Sequence, residues 1–425
     1  MPGRRIGARA FVVAALGGLL VGLVGGAFRW CLAHADALRA DLLEAGAGLG
    51  PAGRLLPVVV TAAGAALACV IARRVPYAAG SGIQHVEAVW RRQSDALALW
   101  LLPAKFAGGV VAIGSGLVLG REGPIVHMGA SVGALAGHHT HQDPEDTRML
   151  HTALAGAGLA AAFTAPLGGL LFVCEEVTRS VRPRLVLLTM VGTVAAALGC
   201  RLVVGDAPVL PMPGLAVPPT WSMPLFLLLG VAAGVLGPAY SALVVHTLET
   251  VEGITRIPPA AKAAAIGAVV GALMTVEPLL GGGGNELSER LLTGPLPGIG
   301  ALLLYFAVRF VAGPLSYAAG TPGGLFAPLL ALGALLGTLT QALAAPALPA
   351  GAPGAAAFAA VGMAALFTGV VRAPLTGVVL VLEMTGSAPL LIPLVLACFA
   401  AALTATRLDS APLYDTLRHR MLQRP

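Results

Sequence analysis

Apolar stretches about as long as a bilayer is thick recur along this chain, and they limit its possible folds more than any other feature. A helix needs about 20 apolar residues to cross the ~30 Å hydrocarbon core of a bilayer. Only 11% of the 425 residues are charged, whereas soluble domains average about 25%, so the chain has too few charges for a polar shell. The sequence therefore predicts an all-α protein that crosses a membrane several times. The clearest apolar runs are residues 10–28, 58–71, 185–204, 224–245, 302–311 and 390–403.

The net charge of +6 does not indicate a nucleic-acid-binding protein, because the basic residues are scattered or lie beside apolar runs. Basic residues that flank membrane spans tend to stay on the cytoplasmic side. Both termini are therefore predicted to be cytoplasmic. The first run is too long for a cleaved signal peptide and no small-residue cleavage site follows it, so we expect it to remain as a span. The flanking residues are Arg4, Arg5 and Arg9 at one end and Arg418, Arg420 and Arg424 at the other.

An internal duplication divides the chain into two halves. Residues 158–164 (GLAAAFT) match residues 362–368 (GMAALFT) at an offset of about 204 residues, and the segments that follow also match, with a slightly longer connection in the second half. Glycines upstream repeat at the same offset. We therefore assign residues 1–207 and 220–425 to two repeat halves of a single transmembrane domain, joined by a proline-rich connector at 208–219. Repeated halves with interrupted apolar segments are typical of secondary transporters, which bind their substrate near the midplane.

Three glycine-rich segments and a C-terminal tyrosine are the strongest candidates for a binding site. The segments read GSGI at 80–83, GREGP at 120–124 and GGLFAP at 323–328, and PLY lies at 412–414. Glycine lets backbone N–H groups approach a ligand, and proline suits the first turn of a helix. Helices that begin this way present free N–H groups and a positive dipole end, which bind anions. Tight turns between packed spans are the alternative, disfavoured because the repeat relates two of the segments.

In their order and combination these motifs resemble the CLC family of chloride channels and proton-coupled chloride transporters, most closely its bacterial transporter branch. The resemblance also takes in APLGGLLFVCEE, RAPLTGVVLVLEMTG and the terminal APLYDTLRHR. It implies a chloride/proton exchanger whose halves have inverted topology and whose broken helices meet near the midplane. It further implies a homodimer in the inner cell membrane, joined through residues 166–175 and 374–383. Chloride would be the bound substrate, with no metal or other cofactor.

The resemblance also implies which residues form the anion pathway. The hydroxyl groups of Ser81 and Tyr414 would donate to a dehydrated chloride from two sides. Backbone groups would complete the binding site. These backbone groups belong to Gly82, Ile83, Gly123, Leu325 and Phe326.

Two glutamates are expected to carry protons. By the resemblance, Glu122 is the gating glutamate, which occupies an anion position when ionised and swings aside when protonated. A charged carboxylate near mid-membrane costs about 2.5–3.5 kcal/mol, so such residues are usually functional. The alternative is that Glu122 only pairs with its neighbour Arg121. Glu176 is expected to pass protons from the cytoplasmic side, the alternative being a surface carboxylate at a helix end.

Repeat symmetry separates Glu176 from its neighbour. Glu175 matches Glu383 in the second half, whereas Glu176 matches Met384. A residue present in both halves indicates a structural or helix-packing role. The residue that breaks the symmetry is the better candidate for a task on one side of the membrane.

Other positions qualify this picture. Lys105 either raises the positive potential of the pathway or neutralises a carboxylate, and Glu87 is expected to brace the GSGI loop. Gln84 stands where the family usually has proline. Glutamine does not fix the backbone as proline does, so the first helical turn is expected to be looser. The chain stops shortly after Tyr414, so the cytoplasmic CBS pair of many relatives is not expected.

The sequence also leaves other functions open. A passive chloride channel would use the same pathway. An enzyme would need a nucleophile with a base, or metal ligands within spans, and the sequence offers neither, so we predict that the protein is not an enzyme. A cation-coupled solute transporter fits the repeat but not the motifs, and a fluoride exporter would be expected to alter Ser81 and GREGP.

Overall fold

The structure is a computed structural model that describes residues 8–48, 50–96, 100–212 and 214–423. These residues form 17 α-helices and, within the described ranges, no strand longer than an isolated bridge. Arg4, Arg5 and Arg424, three of the arginines that flank the terminal apolar runs, lie outside the described residues, as does Pro213 of the connector. The helices are α1 (Ala8–Gly48), α2 (Leu56–Arg73), α3 (Ile83–Trp90), α4 (Leu101–Gly114), α5 (Glu122–His139), α6 (Pro144–Phe163), α7 (Pro166–Phe172), α8 (Pro183–Val204), α9 (Met223–Gly253), α10 (Pro259–Val276), α11 (Asn285–Thr293), α12 (Ile299–Tyr317), α13 (Phe326–Ala344), α14 (Ala355–Val371), α15 (Pro374–Thr385), α16 (Leu391–Arg407) and α17 (Leu413–Gln423).

Eight helical segments in the described part of the chain are long and apolar enough to cross a membrane, which confirms the predicted all-α membrane architecture. All six apolar runs named from the sequence lie within these segments, and two further segments, Pro259–Val276 and Phe326–Ala347, join them. Large apolar side chains on the outer helices, such as Leu202 and Val276, are each 77% exposed. This outward apolar surface suits contact with lipid tails. The eight segments are Arg9–Gly46, Gly53–Arg73, Pro183–Val204, Thr220–Gly253, Pro259–Val276, Ile299–Tyr317, Phe326–Ala347 and Ala388–Arg407.

The buried centre of the molecule consists of two helix pairs, α5 with α6 and α13 with α14. Glycines let the backbones of each pair touch. A side chain on Gly133 would meet the Leu150 carbonyl oxygen, and one on Gly337 would meet the Phe358 carbonyl oxygen. The glycines that repeat in the sequence therefore perform the same packing task in both halves.

Both halves also interrupt their central helices in the same way. Thr164 follows α6 and Arg372 follows α14, and both adopt left-handed backbone conformations, with φ of 55° and 67°. An alanine and a proline follow in each case, and the proline begins the short helix α7 or α15. Proline suits this position because its missing N–H would have no intrahelical partner there.

Two glutamates join the halves by capping each other's short helix. The Glu175 carboxylate accepts the Thr376 N–H at 2.6 Å, at the N-terminus of α15. The Glu383 carboxylate accepts the Gly168 N–H at 2.7 Å, at the N-terminus of α7. A carboxylate at a helix N-terminus satisfies free N–H groups and opposes the positive dipole end. The structural role predicted for this repeated pair is confirmed.

Candidate anion-binding site

The three glycine-rich segments meet because their backbones pair with each other. Gly120 and Gly324 exchange two N–H to carbonyl hydrogen bonds of 2.6 and 2.9 Å, and Gly80 pairs with the segment before Gly324. Gly123 packs so closely on Ser81 that a side chain at Gly123 would overlap the hydroxyl group. The N-termini of α3, α5 and α13 are thereby brought to one place in the buried interior.

Four of the predicted donors have no acceptor within the described residues. The Ser81 and Tyr414 side chains are fully buried, and their hydroxyl groups lie close enough to interact. Neither hydroxyl has a hydrogen-bond partner of good geometry. The N–H groups of Leu325 and Phe326, at the start of α13, also meet no acceptor in this part of the chain. Buried donors without acceptors are costly, and a dehydrated anion would satisfy them.

Gly82 and Ile83 set the direction of α3. Gly82 precedes the helix with φ of 90°, a left-handed conformation that glycine adopts without strain. Ile83 is the first helical residue, and Gln84 follows it with a buried side-chain oxygen that has no partner among the described residues. The backbone therefore turns at Gly82 and places Ser81 directly before the N-terminus of α3.

Glu122 lies where an anion would be expected to bind. It is the first residue of α5 and is fully buried. Its Oε2 accepts the N–H of Ala327, the second residue of α13, at 3.2 Å. The other carboxylate oxygen lies 3.9 Å from Nε of Arg121, which is beyond hydrogen-bond distance. Pairing with Arg121 is therefore the weaker contact, and the carboxylate caps a helix of the other half.

Glu176 is buried, with 1% of its surface exposed, so the alternative of a surface carboxylate is wrong. It lies in a π-helical turn, Val173–Val177, and its carboxyl group interacts with that of Glu87. Glu87 was expected to brace the GSGI loop, and that expectation is also wrong. Its Oε2 lies 3.4 Å from Nε of Arg418 on α17. Two buried carboxyl groups in contact cannot both stay charged without a large cost, so this pair is suited to hold a proton.

A cavity of about 570 Å³ leads from the protein surface to the GSGI loop. Gly80, Gly82 and Gln84 are among its lining residues. Basic side chains dominate its charged lining, and they would raise the local concentration of anions. These side chains are Arg73, Lys262 and Arg420, accompanied by the acidic Glu252.

Comparison with known proteins accords with this geometry. A family model described as "Voltage gated chloride channel" matches residues 63–406. The chain belongs to this family, the CLC proteins. It is 37% identical to the H(+)/Cl(-) exchange transporter ClcA of Salmonella paratyphi A over 422 residues, covering 96% of this chain and 88% of the relative.

Solved CLC structures share the fold. The crystal structure of a slow cyanobacterial Cl⁻/H⁺ antiporter superposes with a TM-score of 0.90 at 28% identity, covering 98% of this chain and 99% of that one. A CLC-type fluoride/proton antiporter is more distant, with a TM-score of 0.79 at 20% identity over 96% of both chains, and is similar in fold alone.

Two further residues of this CLC chain touch the GSGI loop. The buried Lys105 ammonium donates to the Gly80 carbonyl oxygen at 2.6 Å and forms no ion pair within the described residues. The neutralising role considered for Lys105 is therefore wrong, and its amino group instead lies behind the loop in contact with Gly80. The Tyr317 hydroxyl accepts the Ser81 N–H at 3.5 Å. Sequence reasoning missed Tyr317, which ends α12 and belongs to no recognisable motif.

The C-terminal helix of the CLC chain is held by ion pairs next to Tyr414. Asp415 lies 2.6 Å from Nη1 of Arg179 and 3.0 Å from Nη2 of Arg418. Arg418 also contacts Glu87, as described above. The same cluster thus holds the start of α17, which carries Tyr414, and borders the Glu87–Glu176 pair, although none of Asp415, Arg179 and Arg418 was singled out from the sequence as a site residue.

Proposed function

We propose that the chain is a secondary active transporter that exchanges chloride for protons across the membrane. The observation that carries this proposal is the contact between the Glu122 carboxylate and the Ala327 N–H. It places a titratable carboxylate at the N-terminus of α13, directly beside the N–H groups proposed to bind chloride. The ClcA relative, an H(+)/Cl(-) exchange transporter by name, spans nearly the whole chain and supports the same function.

Chloride would bind to donors that the protein leaves without acceptors. The hydroxyl groups of Ser81 and Tyr414 and the N–H groups of Leu325 and Phe326 form the proposed central site. Gly82, Ile83 and Gly123 provide backbone that lies close enough to line it. An ionised Glu122 blocks the way past this site, and an arriving chloride must displace its carboxylate from α13.

A proton taken up by Glu122 removes the charge that chloride would otherwise have to displace. The neutral side chain no longer competes for the N–H groups at α13, so it can move aside. Glu176 is the proposed proton carrier toward the cytoplasm, and its contact with Glu87 lets the pair hold a proton where solvent access is poor. Exchange follows if Glu122 receives its proton by way of Glu176.

Reconstitution into liposomes tests the exchange directly. A chloride gradient imposed across the membrane should drive protons against their own gradient. Glu176→Gln should abolish this proton movement while chloride flux continues, because glutamine cannot carry a proton. Glu175→Gln is the matched control, since Glu175 only caps α15, and it should leave coupling intact. If protons never move uphill in the unmodified protein, a passive chloride channel is the correct function.

We also propose that the molecule is a homodimer in the inner cell membrane with both termini in the cytoplasm. Leu167 on α7 and Leu375 on α15 are 53% and 55% exposed and lie on adjacent helices. A second copy would cover this apolar face. The arginines near both ends of the chain support a cytoplasmic location of the termini.

The two repeat halves, residues 1–207 and 220–425 with the connector at 208–219, are proposed as one transmembrane domain. The matching glycine contacts and reciprocal caps support this division. Transport leaves the ions chemically unchanged, so we assign no catalytic residue and no metal or other cofactor.

A further inference from the structure

The first turn of α3 lacks a restraint that the other two helices of the anion site possess. Proline lies four residues after the paired glycine in α5 (Gly120 and Pro124) and in α13 (Gly324 and Pro328). In α3 the residue four positions after Gly80 is Gln84. Proline fixes φ in the first turn of a helix, whereas glutamine leaves it free. Something else must hold the turn that carries Ser81.

Two buried histidines contact this turn. His127 on α5 packs against Gly82, so closely that a side chain at Gly82 would overlap the imidazole ring. Nε2 of His127 lies 3.2 Å from Nδ1 of His85, in the first turn of α3. Nε2 of His85 lies 3.1 Å from the Ser94 hydroxyl, and the Tyr77 ring stacks on His85 with centroids 4.5 Å apart. A short chain of side-chain contacts therefore runs from α5 through the start of α3 to the segment after it.

The surroundings favour a hydrogen bond between neutral rings. Both imidazoles are fully buried, and the charged side chain that acts on both is Lys105 on α4. On α6, His151 faces the pair, and the Asp95 backbone contacts His85. A neutral imidazole has one donor and one acceptor nitrogen, so His127 and His85 can share a hydrogen bond without a counter-ion, while Nδ1 of His127 has no partner within the described residues.

We propose that His127 and His85 form an imidazole clamp that positions the first turn of α3, and with it the Ser81 hydroxyl, and so sets the affinity and selectivity of the anion site. The clamp rests on the proposed function, because it acts through the Ser81 site. Both histidines are positioning residues, since within the described residues neither is hydrogen-bonded to any of the four groups proposed to donate to chloride. The clamp restrains the first turn of α3 from outside that helix, whereas Pro124 and Pro328 restrain the first turns of their own helices, α5 and α13.

Removing the hydrogen bond while keeping the bulk of the ring tests the clamp. In His127→Leu, chloride affinity measured by calorimetry should fall roughly fivefold to tenfold, the range expected for one buried hydrogen bond and the motion that its loss allows. The chloride-to-nitrate flux ratio in liposomes should fall with it. His127→Gln, which keeps a donor and an acceptor, should stay within about twofold of the unmodified protein. Should His127→Leu fail to fold, His85→Leu removes the same bond from the other side and carries the same expectation.

Two controls separate the clamp from the site it serves. His151→Leu makes the same change at a comparably buried histidine that, in the part of the chain that the structure describes, has no hydrogen bond to α3, and it should leave affinity and selectivity unchanged. Ser81→Pro removes a proposed ligand and should alter both. If Ser81→Pro alters selectivity and His127→Leu does not, the clamp is wrong while the anion site stands. If Ser81→Pro has no effect, the anion site is wrong and the clamp falls with it.

A second-site substitution distinguishes positioning from a general packing defect. The Gln84 N–H makes no hydrogen bond within the described residues, so Gln84→Pro costs none there. Added to His127→Leu, it should restore chloride affinity and selectivity to within about twofold of the unmodified protein, because it fixes the same turn. A double variant that folds but keeps the full loss would show that His127 does not act through the first turn of α3.

Discussion

Glu122 is a buried carboxylate that accepts a hydrogen bond from a backbone N–H of another helix. In the proposed exchange this arrangement serves both gating and proton uptake, because the same oxygen atoms either compete with chloride or carry a proton. We expect a proton on Glu122 to release the Ala327 N–H, and the loss of that proton to draw the carboxylate back. On this proposal the ionised carboxylate takes the place of an anion.

Replacing this carboxylate should uncouple the two ions. Glu122→Gln keeps the size of the side chain but can neither carry charge nor take up a proton. We expect chloride flux that no longer depends on a proton gradient, and proton transport reduced to background. Paired chloride and proton flux measurements in liposomes check this result, with Glu286→Gln on α11 as the control. Uphill proton movement in Glu122→Gln would contradict the assigned role.

Most of the anion-site residues could be named from the sequence, but their neighbours could not. Ser81, Glu122 and Tyr414 lie in motifs whose glycines and prolines have a local physical meaning. Tyr317 reaches the site through tertiary packing, and no local pattern distinguishes it. Glu87 follows a motif closely enough to suggest a bracing role, whereas its actual partners lie on the turn of Glu176 and on α17.

Helix packing at the centre depends on glycines that bring two backbones into contact. Hydrophobic patterning could predict the long outer helices, because their apolar runs match the thickness of a bilayer. Hydrophobic patterning could not predict the short helices α3 and α7, because they begin at backbone turns and tertiary packing sets where they end. The internal repeat added information that hydrophobic patterning does not contain, because glycines at equivalent positions of the two halves indicated equivalent contacts between helices.

A bulky residue at one of these glycines should destabilise the protein. Gly133→Leu would force α5 away from α6, and overpacking of this kind costs about 1–3 kcal/mol or more. Thermal unfolding in detergent should show a clearly lower midpoint. Gly300→Leu on α12 is the matched control, because nothing lies within 4 Å of a side chain placed there. Equal stability of the two variants would mean that the α5–α6 contact is not tightly packed.

The reciprocal caps should contribute to stability without contributing to coupling. Glu383→Gln replaces charge-assisted hydrogen bonds to α7 with weaker neutral ones, a loss of about 1–2 kcal/mol. We expect a lower unfolding midpoint and an unchanged ratio of chloride to proton flux. A changed ratio would assign Glu383 to the transport pathway and separate it from the structural role of Glu175.

At the scale of the whole molecule, α7 and α15 form an exposed apolar face. These are the two short helices that begin where the central helices of each half are interrupted. If a second copy covers this face, bulky substitutions there should separate the subunits. Leu167→Trp combined with Leu375→Trp should shift the protein from dimer to monomer in size-exclusion chromatography with light scattering. Val276→Trp, on the exposed face of α10, should leave the mass unchanged. A double variant that stays dimeric would place the interface elsewhere.

The crossed capping of α7 and α15 has a consequence for biosynthesis. Glu383 lies 215 residues beyond the Gly168 N–H that it accepts. While the ribosome is still making the second half, the first half therefore waits in the bilayer with the start of α7 uncapped and Glu175 without its acceptor helix. Neither half can complete its own helix ends alone. Halves expressed from separate messages should thus accumulate only when they are made together, and a chain truncated within the second half should be cleared by membrane proteases.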